Sequence, residues 1–278
     1  MAENSNIAWT THTFNPWIGC TKVSPGCDHC YAEAWDRRFD PGHVARHWGH
    51  GSQRRRTSGT NWRKVRVWQR DHRAAIDRGE NPESIRVFCA SLADVFDNEV
   101  DYAWRLDLWT LIASCPDLEW ILVTKRVGNI AKMAPAGGFC PNVIILATIV
   151  DQTEADRDMP KLVSIKKNAT AQWVGVSYEP ALGPVDWSPW LADLDWLIIG
   201  GESAQGGASA RPFGIEWARS SVTQCRNALV PVFVKQLGST LVVLDWPAMP
   251  FPRDRAGADP DEWPHDLRIR EFPIMQRP

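Results

Sequence analysis

The sequence predicts an α/β protein, an incomplete or irregular (β/α) TIM-like barrel with an insertion after its first strand and an irregular C-terminal tail. Three observations predict this. From Ile85 onward, short β-branched runs alternate with longer amphipathic stretches, the pattern of parallel strands joined by helices. The strand candidates fall one short of the eight in a complete barrel. Nearly every apolar run stops in a polar cluster on its C-terminal side, and in a barrel those ends converge on the face that carries active sites. A doubly wound open sheet is the competing architecture, since strand count does not exclude it.

In order along the chain, a weak first strand is expected near Phe14–Ile18, followed by strands at Ile85–Ala90, Trp120–Thr124, Val143–Val150, Gln172–Ser177, Trp196–Ile199 and Val230–Val234. Helices are expected over Tyr102–Ser114, Glu154–Lys166 and Ile215–Ala228, the last with Trp217, Val222 and Cys225 at helical spacing. The polar clusters are Ser91 with Asp94, Thr124-Lys125-Arg126, Asp151-Gln152, Ser177-Tyr178-Glu179, Gly200-Gly201-Glu202-Ser203 and Lys235-Gln236. Residues 1–240 are read as the barrel domain and 241–278 as the tail. Trp246-Pro247, Pro250-Phe251-Pro252 and Asp259-Pro260-Asp261 interrupt that tail, and a short apolar element is expected at Leu267–Phe272.

With 278 residues, 44% of them hydrophobic, the chain can bury a substantial core. The formal net charge of −2 excludes a protein built wholesale to bind polyanions, so any nucleic-acid contact must be regional. No leader pattern opens the sequence and no apolar run approaches the roughly 18 residues of a membrane span, which points to a cytoplasmic location without a membrane partner. The 16 tryptophans are expected mostly in packing roles. Seven cysteines, an odd number, point to metal binding or catalysis rather than a disulfide framework.

Residues 31–81 do not fit the alternation and are too long for a plain crossover. They are read as a lid. Within it, Arg54, Arg55, Arg56, Trp62, Arg63, Lys64 and Arg66 interleave cations with indoles, a pattern able to track phosphates and stack on bases. The competing reading is a solvated helical lid whose tryptophan faces pack inward.

The strongest chemical signal is Cys20-Thr21-Lys22-Val23-Ser24-Pro25-Gly26-Cys27-Asp28-His29-Cys30, a C-x6-C-x2-C pattern turned by Pro25-Gly26. Three thiolates at this spacing fit a [4Fe–4S] cluster with one iron free to chelate S-adenosylmethionine, whose reductive cleavage supplies a 5′-deoxyadenosyl radical. A structural zinc site with His29, His12 or His43 as fourth ligand is the alternative, and would make the chain a zinc-stabilised module that binds nucleic acid or a partner without catalysis. Cys89, Cys115, Cys140 and Cys225 are expected in core packing.

The stretch from Asn15 to Glu33, NPWIGCTKVSPGCDHCYAE, closely resembles the phage Gp37/Gp68 family, a domain of unknown function. Later motifs resemble it in order: Ser91–Phe96, Leu122–Arg126, Ser177–Pro184, Ile198–Ser203, Ala210-Arg211-Pro212 and Phe233–Gln236. The resemblance implies a barrel of the radical S-adenosylmethionine type, distantly similar to spore photoproduct lyase, and no established substrate; the basic, Trp-interleaved segment taken with that likeness motivates a nucleic acid or nucleotide as substrate, in modification or repair. An electron donor such as flavodoxin or ferredoxin and a partner protein encoded nearby are the expected partners of such an enzyme. The commonest motif of that superfamily has three residues in the first gap and an aromatic residue where this chain has His29. By the same resemblance, Gly200-Gly201-Glu202 would bind the methionyl amino group, although it follows a later strand than is usual. Lys125, Arg126 and Lys235 could contact a carboxylate or phosphate and Glu179 a ribose hydroxyl, with Ser177 among the cofactor contacts.

Overall fold

The computed structural model describes residues 2–39, 42, 44, 46–204, 208–242 and 253–275. His43, Trp246-Pro247 and Pro250-Phe251-Pro252 lie outside the described residues. In chain order the strands are β1 (Ala2–Glu3), β2 (His12–Phe14), β3 (Trp17–Ile18), β4 (Arg55–Arg56), β5 (Ile85–Cys89), β6 (Leu118–Thr124), β7 (Val143–Thr148), β8 (Trp173–Tyr178), β9 (Trp196–Gly200), β10 (Phe213–Gly214), β11 (Val232–Gln236) and β12 (Leu241–Val242). The helices are α1 (Tyr31–Phe39), α2 (Gly59–Asp77), α3 (Tyr102–Ala113), the single turn α4 (Ile130–Met133), α5 (Gln152–Lys167) and α6 (Ile215–Asn227).

One sheet of eight strands runs in the order β1-β2-β5-β6-β7-β8-β9-β11. Every neighbouring pair in it is parallel except β1 with β2. The order never reverses, so there is no switch point and the doubly wound alternative is excluded. Right-handed crossovers that always advance to the same side place the helices on one face. Because β11 does not pair with β1 or β2, the result is an open half-barrel.

Period-two alternation divides each strand between two apolar layers. Val87, Trp120, Leu122, Ile145, Val176, Leu197 and Val234 point toward the helices, where they join Trp62 and Val65 of α2, Leu108 and Ile112 of α3, Met159 and Leu162 of α5, and Val222 of α6. Phe88, Ile121, Ile144, Leu146, Trp196, Ile198 and Phe233 form the concave face. The chain's own ends fill that concavity: Trp9 from one side, Phe272 and Met275 from the other. The segment expected as a short apolar element lies along the free edge of β11, with Phe233 opposite Arg270 and Val234 N–H donating to Ile269 C=O at 2.8 Å. It satisfies backbone groups that an open edge would leave to another chain.

The sheet confirms the later strands to within two residues and corrects two expectations. The single strand at Phe14–Ile18 is two strands. Pro16 cannot donate to a ladder, and Asn15 turns its amide to the next loop, accepting from Leu92 N–H at 2.7 Å. β2 therefore stays in the sheet, while β3 leaves it to pair with β4. The second correction concerns the lid. α2 carries Trp62, Val65, Trp68 and His72 buried on one face against the sheet, so it is the crossover helix between β2 and β5 rather than a cover. Its indoles are core residues, as the competing reading has it.

Candidate active site

The cysteine loop lies across the C-terminal ends of the strands. Gly19, with φ +112°, turns the chain out of β3 where a Cβ would stand 2.3 Å from His47 C=O. Its N–H donates to Leu92 C=O at 3.1 Å, beyond the end of β5. Pro25–Cys27 form a 3-10 turn capped by Ser24, whose Oγ accepts from Gly26 N–H at 3.0 Å. Gly26 comes so near the strand ends that a Cβ would lie 2.9 Å from Val150 and 3.1 Å from Lys125. Cys30 leads directly into α1. Cys20 and Cys30 both pack on a small cluster of Ile18, Ala32, Trp48 and Leu92.

Two charged clamps hold this loop. At its start, Arg126 donates to Cys20 Sγ at 3.3 Å, Thr21 C=O at 2.6 Å and Asp94 at 3.1 Å. Burial works against the guanidinium charge, but Asp94, Cys20 and Asp97 around it hold its pKa above the usual value. Asp94 in turn accepts from Thr124 Oγ1 and from the N–H groups of Phe96 and Lys125. At the far side, Glu202 accepts from His29 Nδ1 at 2.9 Å and from Arg211 N, Nε and an Nη at 2.8, 3.1 and 2.6 Å. Burial pushes the Glu202 carboxyl up, and these donors more than offset it, holding it below its ordinary value. Arg211 also donates to Pro25 C=O at 2.9 Å, directly on the turn.

Below the loop, the concave face changes from apolar to polar. Alternation continued past Val123, Leu146 and Phe233 brings Lys125, Thr148 and Lys235 to this mouth, where Lys125 Nζ lies 3.5 Å from Thr148 Oγ1 and Lys235 pairs with Glu179. A register shift between Val234 and Gln236 marks the end of the β9–β11 ladder beside Lys235. Ser177 is buried at the end of β8, and Gly200 lies where a Cβ would be 3.2 Å from Glu179. Tyr31 donates to Ser91 C=O.

Two of the expected cofactor residues also have roles within the chain. Glu202 already receives four donors, three on Oε2 and one on Oε1, and so serves as a clamp on the loop. Gly201 is required by its own chain: a Cβ there would stand 2.5 Å from Leu237 C=O. Among the nucleic-acid candidates, Arg54 and Trp62 are buried. Arg54 is held by Asp97 at 2.8 Å, Glu99 at 3.1 Å and Thr21 Oγ1 at 2.6 Å. Arg56 lies over the Trp62 ring and pairs with Asp107, and Lys64 pairs with Glu3. Arg55, Arg63 and Arg66 are exposed. Within α2 the pattern thus separates into inward indoles and outward cations. Elsewhere, Tyr31, Trp35 and Phe39 repeat at four-residue spacing along α1 and are 45%, 36% and 63% exposed.

All seven cysteines are free thiols. Burial and Asp94 push Cys20 up to about 12. Among the described residues, no three His, Cys, Asp or Glu side chains stand close enough to hold one ion. A single zinc, with bonds of about 2.3 Å to sulfur, draws its ligands tightly together, and the described residues offer no such compact set. His12 packs edge-on against Trp68 at 4.5 Å and His29 is held by Glu202. A [4Fe–4S] cluster separates its thiolates more widely than one ion does. Three free thiols on one loop, with an Arg126 N–H on one sulfur, suit it by donor type.

The fold and loop together define an open (β/α) half-barrel carrying a tri-cysteine segment on its C-terminal edge. A family model matches residues 4–256, and the chain belongs to that family, described as "Protein of unknown function (DUF5131)". No curated protein matches the sequence. Among solved structures, a cysteine-to-serine mutant of spore photoproduct lyase is similar at 12% identity and a TM-score of 0.45, over 85% of this chain and 58% of that one. A tyrosine-to-phenylalanine mutant of the same enzyme gives 10% identity and a TM-score of 0.40, over 80% and 54%. A class V chitininase from Pseudomonas fluorescens Pf-5 gives 14% identity and a TM-score of 0.28, over 78% and 67%. The chain spans little more than half the length of the lyase. No helix among the described residues is long and apolar enough to cross a membrane.

Proposed function

We propose that the protein is a radical S-adenosylmethionine enzyme whose [4Fe–4S] cluster is held by Cys20, Cys27 and Cys30. The observation that carries this reading is the placement of three free thiols, on one clamped loop, across the polar C-terminal edge of a half-barrel. Such a cluster, when bound, supplies the electron that cleaves a carbon–sulfur bond of S-adenosylmethionine and so releases a 5′-deoxyadenosyl radical. The chain's residues do the rest. Arg126 and Glu202 hold the loop, Lys125 and the Lys235–Glu179 pair present charge to a zwitterionic ligand, and the apolar layer beneath excludes water.

The substrate on this reading is a nucleic acid or nucleotide. It is supported by the exposed Tyr31, Trp35 and Phe39 ladder beside the loop, with Arg37 and Arg38 on the same helix, which suits stacking of bases beside phosphates. A flavodoxin or ferredoxin would supply the electron.

Anaerobic purification tests the cluster. The expected result is a brown protein holding several irons per chain, with the colour lost in Cys27→Ala. Reduction with dithionite in the presence of S-adenosylmethionine is expected to yield 5′-deoxyadenosine. A colourless protein with one zinc refutes the reading, and an iron protein that makes no 5′-deoxyadenosine refutes the radical step.

A further inference from the structure

Arg126 is unusual among the buried cations for touching sulfur. One Nη lies 3.3 Å from Cys20 Sγ and also donates to Asp94 at 3.1 Å, while the other donates to Thr21 C=O at 2.6 Å. The side chain is only 7% exposed and faces Asp94 and Asp97. Its position is over-determined: Asp94 is itself anchored by Thr124 Oγ1 and the Phe96 N–H, both at 2.9 Å, and Thr21 is gripped from the other side by Arg54.

From this we infer that Arg126 tunes the reduction potential of the cluster by donating a hydrogen bond to its Cys20 ligand. The inference rests on the cluster reading above. A hydrogen bond to a ligand sulfur stabilises the more negative, reduced state and raises the potential, and such contacts are among the protein's main levers on iron–sulfur centres. Little of the effect comes from net charge, because the carboxylates of Asp94 and Asp97 offset that of the guanidinium nearby. What remains is a short-range donor, aimed at one sulfur by a rigid buried network. Arg126 is a positioning and tuning residue; its loss acts on electron entry rather than on substrate contact.

The test compares reconstituted wild-type protein with Arg126→Lys and, as a control, Arg66→Gln by spectroelectrochemical titration. Lysine keeps a cation opposite Asp94 but lacks the planar fork that reaches Asp94, Thr21 and Cys20 together. The lysine variant is expected to hold wild-type iron and to need a poise lower by a tenfold change in the reduced fraction, 59 mV for a one-electron couple. Arg66→Gln removes an exposed cation of α2, outside this buried network, and should leave the potential unchanged. A second readout needs no variant: reduced wild-type protein grown on ¹⁵N-arginine should show a nitrogen hyperfine coupling to the cluster. An unchanged potential in Arg126→Lys at full iron content, or the absence of that coupling, overturns the inference. A wild-type protein that takes up no iron instead overturns the cluster reading on which it rests.

Discussion

Replacing Glu202 with alanine tests whether the carboxylate is a clamp. It receives four donors, three from Arg211 and one from His29, and its side chain is 7% exposed against 25% for Arg211. Breaking a fully buried pair costs about 3–5 kcal/mol. Here the guanidinium retains Pro25 C=O at 2.9 Å and Asp28 at 3.4 Å and can reach water, which lowers the cost to about 2–3 kcal/mol. At about 2–4 °C per kcal/mol for a chain of this size, Tm falls by about 4–12 °C. The damage should be concentrated in the loop, because His29 and the Pro25 turn lose their anchor. Trypsin cleavage after Lys22, whose side chain is 46% exposed, should therefore accelerate more than about tenfold under native conditions. Thermal melting and timed proteolysis read the two effects. A Glu202→Ala protein that melts within about 1 °C of wild type, with unchanged cleavage at Lys22, refutes the clamp.

Three further outcomes are expected. Gly201→Ala forces a methyl group toward Leu237 C=O, 2.5 Å from the ideal Cβ position, and should cost about 2–3 kcal/mol in urea titration; Gly128→Ala, which meets nothing within 4 Å, should stay within about 0.5 kcal/mol of wild type. Trp62→Ala should cost about 3–5 kcal/mol and Arg66→Ala no more than about 0.5, since the first is core and the second surface; equal costs would contradict the inward face of α2. Asp158 is buried beside Arg157 at 2.6 Å and Lys161 at 2.8 Å, and although burial opposes it, these partners hold its carboxyl below 3.8. Its stabilising effect is thus present above that value and lost as pH falls through the lower folded one, so Asp158→Asn should cost about 1 kcal/mol at pH 7, a cost that shrinks as pH falls below 3.8, measured by urea midpoints.

Much of the sheet was legible because local chemistry and tertiary packing agree there. Parallel strands buried on both faces must be apolar throughout, so runs such as Val143–Thr148 and Trp196–Gly200 announce themselves. Helix starts carry the same agreement: Asp151 caps α5 by accepting from Glu154 N–H at 2.9 Å, while Glu154 reaches back to Val150 N–H at 3.1 Å. The break at Pro16 was legible in principle, since a proline inside a supposed strand speaks against it. The outward cations of α2 were not separable from its indoles without a helical wheel and knowledge of which face meets the sheet.

The sequence by itself determined the alternating α/β pattern, the polar strand ends and the tri-cysteine loop, because each is written in neighbouring residues. Only the tertiary structure decided which charges are free. Glu202 looks like a ligand acceptor until Arg211 and His29 are found on it, and Arg54 looks like a phosphate binder until Asp97 and Glu99 enclose it. It also decided that the half-barrel stays open, with Trp9, Phe272 and Met275 filling its concave face. The physical reason is common to all three: a charge or an apolar ring takes its role from what surrounds it, and residues far apart in the chain supply those surroundings.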